Sequence, residues 1–165
     1  MPEQSDQEVK TAKAKELIGL TELLQVRLAK LTCRNESADW PDKFGVSIEA
    51  KDAEVRHSAD SLIVNFAHEV TYVSEEEDTL AAISFTHQLT FQKTSTLDPE
   101  LTADPIINEW VQRVAYFIVY PYARTALQTC ALALDIPPVV LGYLRQDTAQ
   151  PSSLTVLNHR SELAG

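Results

Sequence analysis

The clearest pattern in the chain is a strict alternation of apolar and polar residues in two consecutive segments. The apolar residues occupy the even positions of 62–72 and the odd positions of 81–91. Such a period of two is typical of strands with one buried face. A tight acidic turn at 76–77 would pair even positions with odd ones. The sequence therefore predicts an antiparallel hairpin with both apolar sets on one face.

Two segments before this hairpin show a similar alternation. Residues 22–34 alternate with a change of phase near Leu31, which indicates a β-bulge, and residues 44–50 alternate again. The polar loop between them carries Trp40 as its one large aromatic residue. Upstream, residues 5–19 are rich in helix-forming Lys, Glu and Ala, which predicts an N-terminal helix.

The C-terminal half switches to helical periodicity. Residues 105–120 carry a wide apolar stripe, and Asp104 and Pro105 are suited to the cap and first residue of that helix. Pro121 is expected to kink or restart it, because proline lacks the amide donor. A shorter helix would then run over 122–134 until the double proline at 137–138.

Strands followed by helices define the α+β class. We therefore expect a four-stranded antiparallel meander sheet packed on C-terminal helices, with an N-terminal helix. The expected organisation is a helical extension at 1–19, a main domain at 20–144 and a flexible polar tail at 145–165.

Charge and cysteine content narrow the function classes. The 24 acidic and 14 basic residues give a net charge of −10, which argues against binding nucleic acid. The two cysteines form no CxxC motif, and the N-terminus lacks the apolar core of a signal peptide. No run of 18 apolar residues occurs. We expect a cytoplasmic protein that does not insert into membranes.

No residue constellation points to catalysis. The sequence contains no GxSxG, no HExxH and no phosphate-binding glycine loop, so we predict a protein that is not an enzyme and uses no cofactor. The exception to consider is the pair His68 and His87 on the apolar face of the hairpin, opposite Phe85 and Phe66. Two histidines alone do not make a catalytic metal site, so we predict no metal. An enzyme or small-molecule binder that uses both remains an alternative.

The helix at 105–120 is apolar over more than half of its circumference. One sheet face cannot cover such a helix, so its second side would contact another subunit or the N-terminal helix. The predicted subunit interface consists of Ile106, Trp110, Val111, Val114, Phe117 and Ile118.

Three short motifs carry a resemblance to a known family. They are Tyr120-Pro121-Tyr122-Ala123-Arg124, the segment that begins with Pro137-Pro138, and Trp40-Pro41 between the first two strands. Over residues 20–144 the chain resembles the bacterial export chaperone SecB and its SecB-like relatives, including those encoded with toxin–antitoxin systems.

This resemblance implies an ATP-independent holdase. Such a chaperone is a homotetramer, a dimer of dimers, that binds unfolded polypeptides in long apolar grooves, in some members for protein export. By the same resemblance the client-binding residues would be Trp40, Phe44, Tyr120, Tyr122, Leu141 and Tyr143.

The chain also departs from the export chaperones. Lys30 and Arg34 stand where those proteins carry carboxylates that dock the SecA motor, and acid nearby is limited to Glu69 and the 75–78 turn. The N-terminal helix fits the SecB-like branch better. A dedicated partner such as an antitoxin is therefore the alternative to SecA-coupled export.

Overall fold

The computed structural model describes residues 2–139, 141 and 156–160. Its elements are, in chain order, α1 (Pro2–Gly19), β1 (Thr21–Asn35), β2 (Gly45–Ala50), β3 (Ala53–His57), β4 (Ser61–Val73), β5 (Thr79–Lys93), α2 (Asp104–Trp110), a π-helical segment (Val111–Ala115), α3 (Tyr116–Leu134) and β6 (Val156–Arg160). The α+β class is confirmed, with helices on one face of a mainly antiparallel sheet.

The β4–β5 hairpin has the register that the alternation predicts. Leu62 lies opposite Phe91, and both histidines face the phenylalanines named above. Ser74 closes the turn, because its amide donates to the Asp78 carbonyl and its hydroxyl oxygen accepts from the amides of Glu76 and Asp78. Glu77 completes the turn in the left-handed conformation, with φ of 67°. Every second residue of both strands is buried beneath the helices. We call this side the helix-covered face and the other side the solvent face.

The sheet has six strands rather than the four expected. The order is β1-β5-β4-β3-β6, and β2 also pairs with β4. β2 matches the predicted second strand, and after Lys51 and Asp52 the unpredicted strand β3 continues along β4. β6 pairs parallel with β3 and lies within the region predicted to be a flexible tail. The sequence did not predict this strand, because residues 156–160 show no strand-like alternation and their strand geometry comes from pairing with β3.

Edge strand β1 is bulged twice. Leu24 and Ala29 each stand without an opposite residue on β5, near the predicted phase change. The bulges keep Leu23, Leu28 and Leu31 on the helix-covered face, where they lie opposite residues of β5. All three are about two-fifths exposed, so the helices leave the outer strip of this face uncovered.

The helical region is more continuous than predicted. Ala103, and not Asp104, is the residue before the helix, and the chain then stays helical through the π-segment to Leu134, with Pro121 inside α3. A proline inside a helix costs about 3 kcal/mol. Burial of Val119 and Ala123 on either side offsets that cost and keeps the helix intact.

Helix α1 covers part of the apolar surface of α2. Ala14 and Leu17 are buried in the same cluster as Trp110 and Val111, and Lys13 forms an ion pair with Glu100 at 2.6 Å. Ile106, Trp110 and Val111 are at most 6 % exposed within the single chain. These three predicted interface residues are thus enclosed by the chain itself. Val114, Phe117 and Ile118 remain half-buried.

Candidate polypeptide-binding site

The crossover segment, residues 36–44, folds onto one end of the helix-covered face. There Trp40, Phe44 and Tyr72 form what we call the aromatic cluster. The ring of Trp40 lies 5.5 Å from both Phe44 and Tyr72, with edge-on geometry that is favourable for aromatic pairs. Phe44 lies 6.0 Å from Tyr72.

The three rings differ in their exposure. Tyr72 is fully buried, whereas Trp40 and Phe44 are half-buried and form the rim. Within the described part of the chain, the buried indole nitrogen Nε1 of Trp40 has no hydrogen-bond acceptor. The cluster therefore combines accessible aromatic surface at its rim with a buried indole donor beneath it.

The chain that follows α3 packs against the same cluster. Asp135 adopts the left-handed conformation with φ of 53°, and Ile136 donates its amide to Ala131, which ends the helix sharply. The hydroxyl of Tyr72 then donates to the carbonyl of Pro137 at 3.0 Å. Leu141 is buried in this part of the core, and Val139 packs against it.

The structure brings the predicted residues Trp40, Phe44 and Leu141 into one hydrophobic cluster. Tyr72 is the central residue that sequence reasoning missed as part of the site. Its position in the alternating set identified it as buried, but only the crossover segment gives it this role. Predicted residue Tyr143 lies outside the described residues.

Tyr120 and Tyr122 lie elsewhere on the helix-covered face. Tyr120 is half-buried against both halves of the core, and burial raises its pKa. The ring of Tyr122 is 48 % exposed and lies 6.3 Å from His87. His87 stands six positions along β5 from Ala81, the partner of Tyr72. The two sites are therefore about 20 Å apart, a distance that about six residues of extended chain would span.

His68 and His87 form a buried pair between these sites. The ring of His68 stacks on Phe85 at 5.1 Å, and its Nε2 lies 3.3 Å from the Tyr116 hydroxyl. Burial lowers the pKa of His68 to about 4, with a smaller effect from His87, whose own pKa is lowered by burial. Burial also raises the pKa of Tyr116 to about 12. Both histidines are thus neutral at pH 7.

No metal centre is formed by the described residues. Among them, no three His, Cys, Asp or Glu side chains cluster closely enough to hold an ion. The histidine pair instead fills core volume beside aromatic rings, with both Nδ1 atoms lacking a partner in the described structure. None of the described helices has the length and apolar character needed to cross a membrane.

The solvent face of the sheet is polar and divided by charge. Arg27, Lys30 and Arg34 lie along β1 on this face, opposite uncharged residues of β5. On the far side Lys51 binds Glu49 and Glu69 at 2.8 and 2.9 Å. The β1 side of the solvent face is therefore basic.

No protein-family model matches the chain, and no curated protein matches it. Among solved structures, the chain is similar to the SecB-like chaperone Rv1957 of Mycobacterium tuberculosis, in complex with a ChAD peptide from the HigA1 antitoxin Rv1956. The identity is 16 % and the TM-score 0.73, over 83 % of this chain and 99 % of that one. A Streptococcus agalactiae protein of unknown function gives 12 % identity and a TM-score of 0.38, over 74 % and 97 %.

The similarity to Rv1957 shows that the chain has a SecB-like fold. It confirms the resemblance drawn from the Tyr-Pro-Tyr and Trp-Pro motifs at the level of the fold.

Proposed function

We propose that this protein is a chaperone that binds non-native polypeptides without ATP, and that it acts by binding rather than by catalysis. The observation that carries the proposal is the aromatic cluster. Its rim residues Trp40 and Phe44 keep accessible apolar surface, while Tyr72 beneath them fixes their positions. Exposed aromatic surface on a rigid base is suited to varied apolar segments.

The proposed client path runs from the aromatic cluster to Tyr122. Both ends lie on the helix-covered face, and an extended segment of about six residues would reach from one to the other. A net charge of −10 keeps such a surface soluble and attracts basic segments of unfolded chains. Tyr120, Leu141 and Tyr143 remain proposed client-binding residues, Leu141 as support beneath the rim.

We also propose that the active form is a homotetramer, a dimer of dimers, in the cytoplasm. The uncovered strip of β1, with Leu23, Leu28 and Leu31, is apolar surface that a second subunit would bury. Val114, Phe117 and Ile118 on the helices supply further half-buried surface. Solution mass from light scattering tests this, and a stable monomer of 18.4 kDa would contradict it.

An aggregation assay tests the chaperone function. A denatured unrelated protein is diluted into buffer without nucleotide, and light scattering is followed with and without the purified chain. We expect suppression near a one-to-one ratio. The double variant Trp40→Ala, Tyr122→Ala should lose suppression by about tenfold, because aromatic anchors carry much of the binding energy.

Val9→Ala is the matched control for that variant. It removes apolar surface from a side chain that is 51 % exposed on α1, away from the client path, and should leave suppression unchanged. An equal loss in the control, or no suppression by the wild type at high excess, would contradict the proposal.

A dedicated chaperone for one partner, such as an antitoxin, is the second candidate. The antitoxin peptide bound to Rv1957 and the basic β1 side of the solvent face favour it over docking of SecA for export. It predicts that one peptide binds at least about a hundredfold more tightly than generic unfolded clients. Similar affinities across a panel of unrelated clients would favour the general holdase.

A further inference from the structure

The sheet edge formed by β3 is covered by the chain's own strand β6. Five residues pair in parallel, from Ala53 opposite Val156 to His57 opposite Arg160. Pairing along an edge uses main-chain hydrogen bonds that any extended polypeptide can supply. The main-chain ladder alone therefore gives affinity without sequence preference.

The side chain of Asn158 adds selectivity at this edge. Its Oδ1 lies 2.5 Å from Nε2 of His57, and its Nδ2 donates to the Thr102 carbonyl at 3.1 Å and to Oδ1 of Asp104 at 2.9 Å. With Nε2 of His57 protonated, each end of the carboxamide meets a complementary group.

Other side chains would not fit these three groups. Aspartate would direct a second carboxylate oxygen at Asp104 and the Thr102 carbonyl, both of which are acceptors. Leucine would make none of these three hydrogen bonds. The contacts at this edge therefore select asparagine.

The other described side chains of β6 are exposed. Leu157 is 40 % exposed on the solvent face, beside a depression of about 620 Å³, and His159 is exposed. Asn158 is the described β6 side chain that hydrogen-bonds to α2 and the loop before it. An edge strand whose described side chains bury so little apolar surface opens more readily than the β4–β5 hairpin.

We propose that the β3 edge is a strand-accepting site for an extended polypeptide that carries asparagine beside Val55. In this proposal β6 is the intramolecular occupant that such a partner displaces. The partner runs parallel to β3 and places its asparagine among His57, Thr102 and Asp104. The site does not involve the aromatic cluster, so it stands independently of the proposed chaperone function.

The test uses the full chain and a fluorescent peptide with the sequence of residues 154–161, followed by anisotropy. The wild type should bind it weakly, because the tethered β6 competes at an effective concentration near the millimolar range. Asn158→Asp releases β6 and should bind it about tenfold more tightly or better. The same peptide with aspartate at the asparagine position should bind this variant at least about tenfold more weakly.

His159→Ala is the matched control, since this exposed side chain lies on the same strand. It should bind the peptide as the wild type does. The proposal is overturned if the peptide does not bind Asn158→Asp, binds the wild type equally well, or binds equally well with aspartate.

If Asn158→Asp fails to fold, hydrogen exchange on the wild type tests whether the peptide displaces β6 from β3. With several millimolar peptide, the amides of 156–160 should lose protection while those of Ala53–His57 keep theirs. Unchanged protection of 156–160 overturns the proposal. Neither readout depends on suppression of aggregation, so failure of the chaperone assay is distinguishable.

Discussion

The helix-covered face has a closed half and an open half. In the closed half, Leu17 of α1 and Trp110 of α2 lie in one cluster with Phe66, and these three side chains are 0–1 % exposed. In the open half, α3 covers the floor with Ala123, Leu127 and Cys130, and the crossover segment adds Trp40 and Phe44, which stay half-buried beside Tyr72. The same two long strands, β4 and β5, supply the floor of both halves.

The difference lies in what covers the floor. A helix presents a continuous stripe of side chains and excludes water along its length. Beyond the edge of α3, the cover is a loop anchored by two aromatic residues, which covers less and leaves a rim. Core packing and the proposed client binding can therefore share one face, because the half-buried rim lies beside the part that the helices cover.

The largest expected effect is in the closed half. Trp110→Ala removes a side chain with no exposed surface, so the free energy of unfolding should fall by about 3–5 kcal/mol. Urea unfolding measures this. The exposed control Val9→Ala should stay within about 0.5 kcal/mol of the wild type. A loss below 1 kcal/mol for Trp110→Ala would show that the closed half is less tightly packed than the structure indicates.

The next effect lies at the junction of the halves and depends on pH. The folded chain keeps His68 neutral down to a pKa of about 4, whereas the unfolded chain takes up the proton near the ordinary pKa of 6.5. Stability is therefore full above pH 6.5 and is lost as pH falls towards 4, by about 3 kcal/mol in total.

Urea unfolding between pH 7 and pH 4 measures this loss. His68→Leu should reduce the slope over that range, because only the protonation of His87, whose pKa burial also lowers, then remains from the pair. An unchanged slope in His68→Leu would assign the loss to other groups.

A smaller effect is expected in the floor of the open half. Tyr72→Phe removes the hydrogen bond to the Pro137 carbonyl and leaves that acceptor unpaired, which should cost about 1 kcal/mol. The ring itself remains, so Trp40 keeps its aromatic contact. Trp40 fluorescence would separate the loss of the hydrogen bond from a loss of the aromatic contact. A large spectral change in Tyr72→Phe would mean that the hydroxyl also holds the rim in place.

The smallest effect concerns reactivity rather than stability. Burial raises the pKa of the Cys130 thiol to about 12, and its hydrogen bond with Cys33 adds to this. In Cys33→Ser, Cys130 is the sole thiol and should react with a thiol reagent at pH 8 only after unfolding, because the thiolate is the reactive form. Rapid reaction in the folded chain would show that water reaches the floor of the open half.

Sequence reasoning succeeded where one periodic pattern determined the local structure. The strict period of two in β4 and β5 fixes both the buried face and the register, since a slip of one residue would expose the whole apolar set. The left-handed Glu77 turn follows from that register. Helix α1 was predicted from its helix-forming composition and a weak apolar spacing, without a strong apolar stripe.

Sequence reasoning failed where tertiary contacts override the local preference for secondary structure. Pro121 predicts a break, but the packing of α3 on the sheet maintains the helix. Strand β6 is polar and follows β3 only because an edge was free. Trp40 was singled out through the motif, whereas its partner Tyr72 required the folded crossover segment. Ile106, Trp110 and Val111 are buried within the single chain, in line with the alternative of a covering N-terminal helix, but the weak pattern of α1 did not say which residues it covers.

The loop before α2 is touched by the first and last elements of the described structure. Lys13 of α1 reaches Glu100, and Asn158 of β6 reaches Thr102 and Asp104. During synthesis the ribosome makes β6 after every other described element, so a growing chain has a bare β3 edge until residues 156–160 emerge. Nascent chains on one polysome would be able to pair through that edge. Pairing of β6 with β3 then covers the edge and prevents such mispairing.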